Sequence, residues 1–220
     1  MPVQVIDKGQ GNTVDLHPWF QQYGNLKIIF SGSNNTVRIP EQPRSCLNMV
    51  VELGNGCSVG AGAACMLSNA YIFALGDGHV DIGERSTFTS SARFYLHEPA
   101  RITLGKDCMI ASGTEFLASD MHTIYDLDTG RRTNPAADIE IADHVWIAGH
   151  CFILKGVKIG TGSVIGLRST VATDIPAHCL AVGSPARVIR SAVGWDRKLW
   201  PAGETAAARE QREHAPGAAE

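Results

Sequence analysis

Through the second half of this chain an aliphatic residue returns at every sixth position: Ile141, Ile147, Ile153, Ile159, Ile165 and Val171, then Ile175 after a slip of two. A small residue usually follows it (Ala142, Ala148, Gly160, Gly166, Ala172), and a small or β-branched one stands four places on (Val145, Cys151, Val157, Ser163, Ser169). The same frame surfaces earlier at Leu53 and Val59, at Ile82 and Phe88, and at Leu104, Ile110 and Phe116. A period of six fits neither a helical turn of about 3.6 residues nor the alternation of a two-faced strand. It fits one short flat strand and one corner per six residues, with the aliphatic inward and the small residue at the turn. Three such faces close a triangular coil of about eighteen residues, and coils stacked about 4.8 Å apart make a parallel solenoid. An ordinary sandwich, with turns at about 8–12 residues, leaves the fixed period without a cause.

The cysteines keep the same frame. Cys57, Cys108, Cys151 and Cys179 each stand four places after an inward aliphatic, a slot for a small buried residue. No Cys-x-x-Cys pair is present, so neither a metal cage nor a disulfide framework is indicated. Glycine at 23 of 220 residues and aromatics at 7% suit a turn every few residues better than long helices. The net charge of -3, with no Lys/Arg-rich run, argues against a nucleic-acid binder. The longest uncharged stretch, Gly54 to Gly76, is broken by glycines and asparagines and lacks the ~20 apolar residues of a membrane span. The first residues carry no basic and apolar leader pattern, so the expected location is the cytoplasm.

The expected organisation is a β-helix over 1–190 and a C-terminal helix with a flexible tail over 191–220. Within the first part, 1–52 form looser coils, where Gly11-Asn12-Thr13-Val14 and Ser33-Asn34-Asn35-Thr36-Val37 echo one another, and 53–190 form regular coils. Asparagine tolerates a left-handed corner. Trp195 to Trp200 and the Ala/Glu/Arg-rich end from Ala202 read as the short helix and a frayed tail.

The frame is lost between Phe116 and Ile141, where an insert over 119–138 carries acids, arginines and His122. A solenoid has no packing need for such an excursion, and loops on rigid scaffolds concentrate function. Taken alone, His122 is more often a solvated loop histidine than a base, but Asp120 two residues earlier could hold its tautomer. Trp146, five places after Ile141, points outward and should be covered by another subunit or a ligand. Arg131 and Arg132, with Arg93, suit either an anionic glycan or a solvated loop tip.

The hexads from Leu104 to Arg190 resemble those of the left-handed β-helix acyltransferases, the hexapeptide-repeat family. The segments Ser119-Asp120-Met121-His122 with Ile124-Tyr125, Ile141-Ala142-Asp143-His144-Val145-Trp146-Ile147-Ala148-Gly149, Leu154-Lys155-Gly156-Val157 and Ala181-Val182-Gly183-Ser184-Pro185-Ala186-Arg187-Val188-Ile189 are similar to its signature. Ile102 to Asp126, together with Trp195, looks most like bacterial capsule O-acetyltransferases, of which those acting on polysialic acid are nearest. The resemblance is specific over residues 100–200 and weak over 1–50.

The resemblance implies an all-β, left-handed parallel β-helix with triangular coils, a protruding loop and a short C-terminal helix. It implies a homotrimer with active sites between subunits, acetyl-CoA as co-substrate, a glycan acceptor and no metal. By position, His122 is similar to the family's catalytic base and Trp146 to the tryptophan lining the acceptor and thioester site, with Asp120 or a backbone carbonyl orienting the imidazole. CoA contacts fall on Gly149, Leu167, Ala172, Thr173, Arg187 and Arg190; Tyr125, Arg131 and Arg132 on the insert are the candidate acceptor contacts, not carried over by position. Thr173 stands where the family commonly has lysine, and Ala148 where it usually has glycine, which adds a methyl beside the pantetheine path.

Three other readings share the scaffold. A zinc hydratase of the carbonic anhydrase type needs three neutral histidines around an open position, but His144 and His150 are six apart rather than the family's five. A non-catalytic glycan- or protein-binding solenoid leaves the insert and Trp146 without a reason. An acceptor that is an antibiotic or a simple sugar remains within the same reaction class.

Overall fold

The computed structural model describes residues 3–213 and folds them into a β-solenoid of about eight coils. Face A is an eight-stranded sheet running from Gln4–Asp7 to Thr170–Val171. Faces B and C have seven strands each, from Thr13–Leu16 to Lys158–Ile159 and from Met66–Leu67 to Ala186–Ser191. Neighbouring strands are parallel except at the end of face C, where Cys179–Gly183 and Ala186–Ser191 form an antiparallel hairpin. Two short helices complete the described chain, α1 (Trp19–Tyr23) and α2 (Ala206–Glu213).

The hexad aliphatics are the core. Ile147, Ile153, Ile165 and Val171 are fully buried, and so are Cys108 and Cys151 in the slot four places on. Burial pushes the Cys46 thiol up to about 12 and the Cys65 and Cys108 thiols up to about 11, so none of these is a thiolate at neutral pH. In the middle coils aromatic rings replace the aliphatics: Phe94 stacks on Phe116 at 4.7 Å and 8°, with Phe88 beside Phe94 at 5.7 Å. The asparagine echoes pair in register, Thr13 with Thr36 and Val14 with Val37. Asn35 is buried between them and bonds three coils, through Asn12, the Gly54 carbonyl and the Cys57 amide.

Three expectations are corrected. The eighteen-residue coil holds only above the insert, where Phe152 pairs with Thr170 and Trp146 with Val164. Below it, Tyr71 pairs with Arg93 and Arg93 with Glu115, a coil of 22 residues. Faces A and B there each take two inward residues, such as Ile72 and Ala74 or Val80 and Ile82, which widens two sides of the triangle.

The corner chemistry also differs. Left-handed backbone falls three places after the inward aliphatic, at Arg85, Asp107, His144, His150, Gly156, Gly162 and Arg168. The small residue directly after the aliphatic is small because the next coil leaves no room: a Cβ on Gly160 would lie 2.4 Å from the Ala177 nitrogen.

Finally, residues 194–200 are not helical but an extended strap against face C. The helix begins at Ala206, and the tail expected beyond it lies, from residue 214, outside the described residues.

Truncating Phe116 to Ala removes one ring of the central stack and leaves a cavity that flat strands cannot close. The expected loss is about 3–5 kcal/mol in denaturant unfolding; a loss under about 1 kcal/mol would contradict the packing described.

Candidate active site

The insert leaves the solenoid at the corner between faces A and B, after the strand Glu115–Leu117 and before Ile139–Ile141. It is an ordered hairpin. Thr133 N donates to Ile124 O at 2.8 Å, Asp126 N to Arg131 O at 2.9 Å, and Tyr125 bridges Arg132. Corners from the coils on either side hold it: Glu98 from the coil below and Lys155 from the coil above.

Asn134 is the hub of the loop and is 7% exposed. Its Nδ2 donates to the His122 carbonyl at 2.8 Å and to Asp120 Oδ2 at 2.9 Å. Its Oδ1 accepts from Ile124 N at 2.7 Å and from Arg132 Nε at 3.3 Å. Arg132 binds Glu98 through both guanidinium nitrogens, at 2.6 and 2.8 Å, and Ser119 Oγ donates to the same carboxylate at 2.5 Å. Hydrogen bonds from Arg132 and then Ser119 hold the Glu98 carboxyl at about 2. Lys155 first, then Asn134, holds the Asp120 carboxyl below the usual carboxylate range. Solvent-screened ion pairs contribute little, whereas an orphaned buried amide costs about 1–3 kcal/mol. Asn134 therefore does more to fix the loop than either pair.

This network places the predicted residues. The His122 backbone is fixed at its carbonyl by Asn134 and at its N–H by the Asp120 carbonyl, 2.7 Å away. Met121 before it sits at φ 62, a left-handed conformation that a methionine rarely adopts. No group among the described residues bonds the His122 ring, and the residue is exposed. The Asp120 carboxylate makes no hydrogen bond to that imidazole; Lys155 and Asn134 both donate to its Oδ2. Arg132 is committed to Glu98, and Arg93 lies 3.7 Å from Glu115. Arg131 and Tyr125 stay exposed on the hairpin, and Arg131 has no ion pair among the described residues.

Neither Asn134, whose burial follows from hairpin pairing, nor His97 stands out in the sequence pattern. The His97 ring lies 5.0 Å from Phe73 and 6.1 Å from Tyr95 at the corner below the loop, with a buried Nδ1 that has no hydrogen-bond partner among the described residues. Burial pushes its pKa down, Glu98 opposes this, and the charge of the neighbouring His122 adds to the depression.

Trp146 lies on face C, half-buried, with Trp195 tilted against it at 6.1 Å. It walls a cavity of about 510 Å³ with Ala148, Leu167, Arg190 and Trp195. Gly149 lies below Leu167: Arg168 N donates to its carbonyl, and a Cβ there would lie 3.4 Å from Leu167 Cδ1. The antiparallel hairpin carries a bulge. Val182 pairs with Arg187 and Leu180 with Arg190, so the extra residue turns both arginines to the outer face. Neither arginine has an ion pair among the described residues, and Arg187 bonds only its neighbour's carbonyl. Ala172 and Thr173 follow the last strand of face A, at the corner with face B, and are not brought to this cavity. In a triangular solenoid face C lies opposite the A–B corner, so one chain does not bring His122 and Trp146 together. Among the described residues no three His, Cys, Asp or Glu side chains gather as a metal-holding group.

Fold and hexad frame match those of hexapeptide-repeat acetyltransferases, and the chain is similar to the polysialic acid O-acetyltransferases among them. The chain is 29% identical over 191 residues to the polysialic acid O-acetyltransferase of Neisseria meningitidis, covering 77% of this chain and 89% of that one. It is 34% identical over 118 residues to the polysialic acid O-acetyltransferase of Escherichia coli O1:K1, covering 54% of this chain and 38% of the relative's length. Among solved structures, the polysialic acid O-acetyltransferase OatWY superposes with a TM-score of 0.71 at 25% identity, covering 97% of this chain and 99% of that one. The polySia-specific acetyltransferase NeuO superposes with a TM-score of 0.67 at 27% identity, covering 96% and 97%. No protein-family model matches the chain.

Glu98 is depressed from 4.5 to about 2, so its contribution to anchoring the loop is complete above the ordinary carboxylate range and is lost as pH falls through that window. Amide protection of the hairpin is therefore expected to be equal at pH 7 and 5.5 and to fall only in that acid window. Asn134→Ala should abolish hairpin protection at every pH, and Arg131→Ala should leave it unchanged. An unprotected hairpin in the wild type at neutral pH would contradict the anchoring network.

Proposed function

We propose that the chain is an acetyl-CoA-dependent O-acetyltransferase that moves an acetyl group onto a sugar hydroxyl of a bacterial surface glycan. The observation that carries this reading is His122, held through its backbone on an anchored loop with its ring unengaged. Likeness to two polysialic acid O-acetyltransferases supports the glycan acceptor.

The chemistry is direct transfer. His122 takes the proton of the acceptor hydroxyl, and the alkoxide oxygen attacks the thioester carbonyl. The tetrahedral intermediate collapses as the C–S bond breaks, and the CoA thiolate takes the proton from the imidazolium. The Ala148 N–H is already bonded to Ile165 O, so the donor for the oxyanion is the Gly149 N–H, which has no acceptor among the described residues. Leu167 and Arg190 would bind the CoA arm along the cavity wall, with Arg187 and Arg190 meeting its phosphates. The buried, strongly protonated cysteines support no covalent acyl-enzyme on sulfur.

The site is completed between copies. His122, with Ala172 and Thr173, belongs to the A–B corner of one protomer; Trp146, Gly149, Leu167 and Arg190 belong to the face-C side of its neighbour. Both regions expose apolar side chains: Met121, Ile124 and Leu127 around the loop, Leu167, Ile189 and Leu199 on the other side. Two different patches of one chain in contact make a heterologous interface, which forms a ring where the rotation between copies closes; the family resemblance makes that ring a homotrimer.

Incubation with acetyl-CoA and, in parallel, an anionic capsule-type polymer, its monomer and neutral oligosaccharides should add one acetyl mass to the glycan acceptor. His122→Ala should lower the transfer rate by about 10²–10⁴-fold. Transfer retained in that variant within about tenfold of wild type would remove the histidine from the mechanism.

A further inference from the structure

The strap over residues 194–200 is pinned across face C by a tight polar network. Trp195 Nε1 donates to the His144 carbonyl at 2.8 Å, and the two rings stack at 4.1 Å and 8°. His144 Nδ1 meets Asp107 Oδ2 at 2.7 Å, and Arg197 Nε donates to Asp107 Oδ1 at 3.0 Å. Burial works against ionising Asp107, but the hydrogen bonds from His144 and Arg197 outweigh it and hold the carboxyl low.

The strap held in this way divides the outer side of face C. On one side of Trp146 and Trp195 is the cavity that holds Leu167 and Arg190. On the other is a second cavity of about 740 Å³, walled by Met109, Trp146, Trp195 and Trp200 with Lys198 on its rim. That volume is within the range of small-ligand sites, about 300–1,000 Å³. Three indoles around one hollow suit a ring with an apolar C–H face and a polar edge, which describes a pyranose. The charges decide which kind. Arg197 is paired with Asp107, and Asp196 with Arg209 at 2.7 Å. Lys198 has no ion pair among the described residues, which leaves one uncompensated positive charge on the strap.

We propose that this second cavity is the acceptor subsite and takes one acidic pyranose unit of the glycan, its ring against the indoles and its carboxylate toward Lys198. The inference rests on the O-acetyltransferase reading, since it is the shared Trp146 indole that puts a sugar here next to the thioester. It also explains the strap: without residues 194–200, Trp146 would face solvent across an open sheet.

Calorimetric titration of the full-length oligomer, loaded with CoA, tests the subsite with an oligosialic acid and a neutral glucose oligomer. The wild type should bind the acidic oligomer more tightly than the neutral one. Lys198→Gln should weaken the acidic oligomer by about tenfold, and Trp200→Ala should weaken both by about that factor, with CoA affinity unchanged. Lys198 is exposed, so its variant keeps the test informative if Trp200→Ala does not fold. No saturable binding in the wild type, or equal affinities in wild type and Lys198→Gln, would overturn the subsite. Lys198-dependent binding by an enzyme that transfers no acetyl group would retain the subsite and overturn the acetyltransferase reading instead.

Discussion

Parallel pairing of each coil on the one below is the constraint from which the structure follows. Each short strand places its backbone bonds on its neighbours in the stack, so a coil keeps its place only by matching register with both. The inward aliphatic of each hexad then meets its counterparts above and below, and the slot four places on must be filled by something small. A chain under this rule can add residues only where no strand is interrupted. The insert accordingly leaves at a corner, and the corners of the adjacent coils, through Glu98 and Lys155, grip it on both sides. The solenoid thus turns a hairpin that would be mobile in isolation into a fixed support for His122.

The same geometry separates the two residues on which the proposed mechanism rests. His122 stands at the corner of faces A and B, and Trp146 on the face opposite. In this proposal the active site therefore belongs to the interface and not to the protomer. The exposed loop leucine and methionine, and the exposed Leu167, Ile189 and Leu199 on the far side, then have a shared purpose: each patch covers the other in a ring of copies. The strap adds a wall on the face-C side, where Trp146 separates the cavity proposed for the CoA arm from the one proposed for a sugar.

Much of the fold was legible because the hexad is local. Ile147, Ile153 and Ile165 each report their inward position within six residues, and Cys108 and Cys151 confirm the frame through size alone. The wider lower coils were not legible, since Ile72 and Ala74 share a face only once the pairing of Tyr71 with Arg93 is known. Of the proposed site, His122 and Trp146 could be picked out from the broken frame, the outward slot and the family likeness. Asn134 could not, because its burial depends on a hairpin closing back on Ile124 and on a corner in another coil. Asp120 illustrates the hazard of proximity in sequence: two residues from His122, its carboxylate is nonetheless taken by Lys155, which is 35 residues away.

The central claim is that catalysis needs His122 from one copy and Trp146 from the next. The direct measurement is to mix two inactive proteins, His122→Ala and Trp146→Ala, under conditions that exchange subunits, and to assay acetyl transfer. If the site spans the interface, random mixing gives one interface in four with both native residues, and activity should return to about a quarter of the wild-type rate. If both residues act within one chain, no mixture contains an intact site. A mixture as inactive as either parent, with subunit exchange verified by mass, would contradict the account.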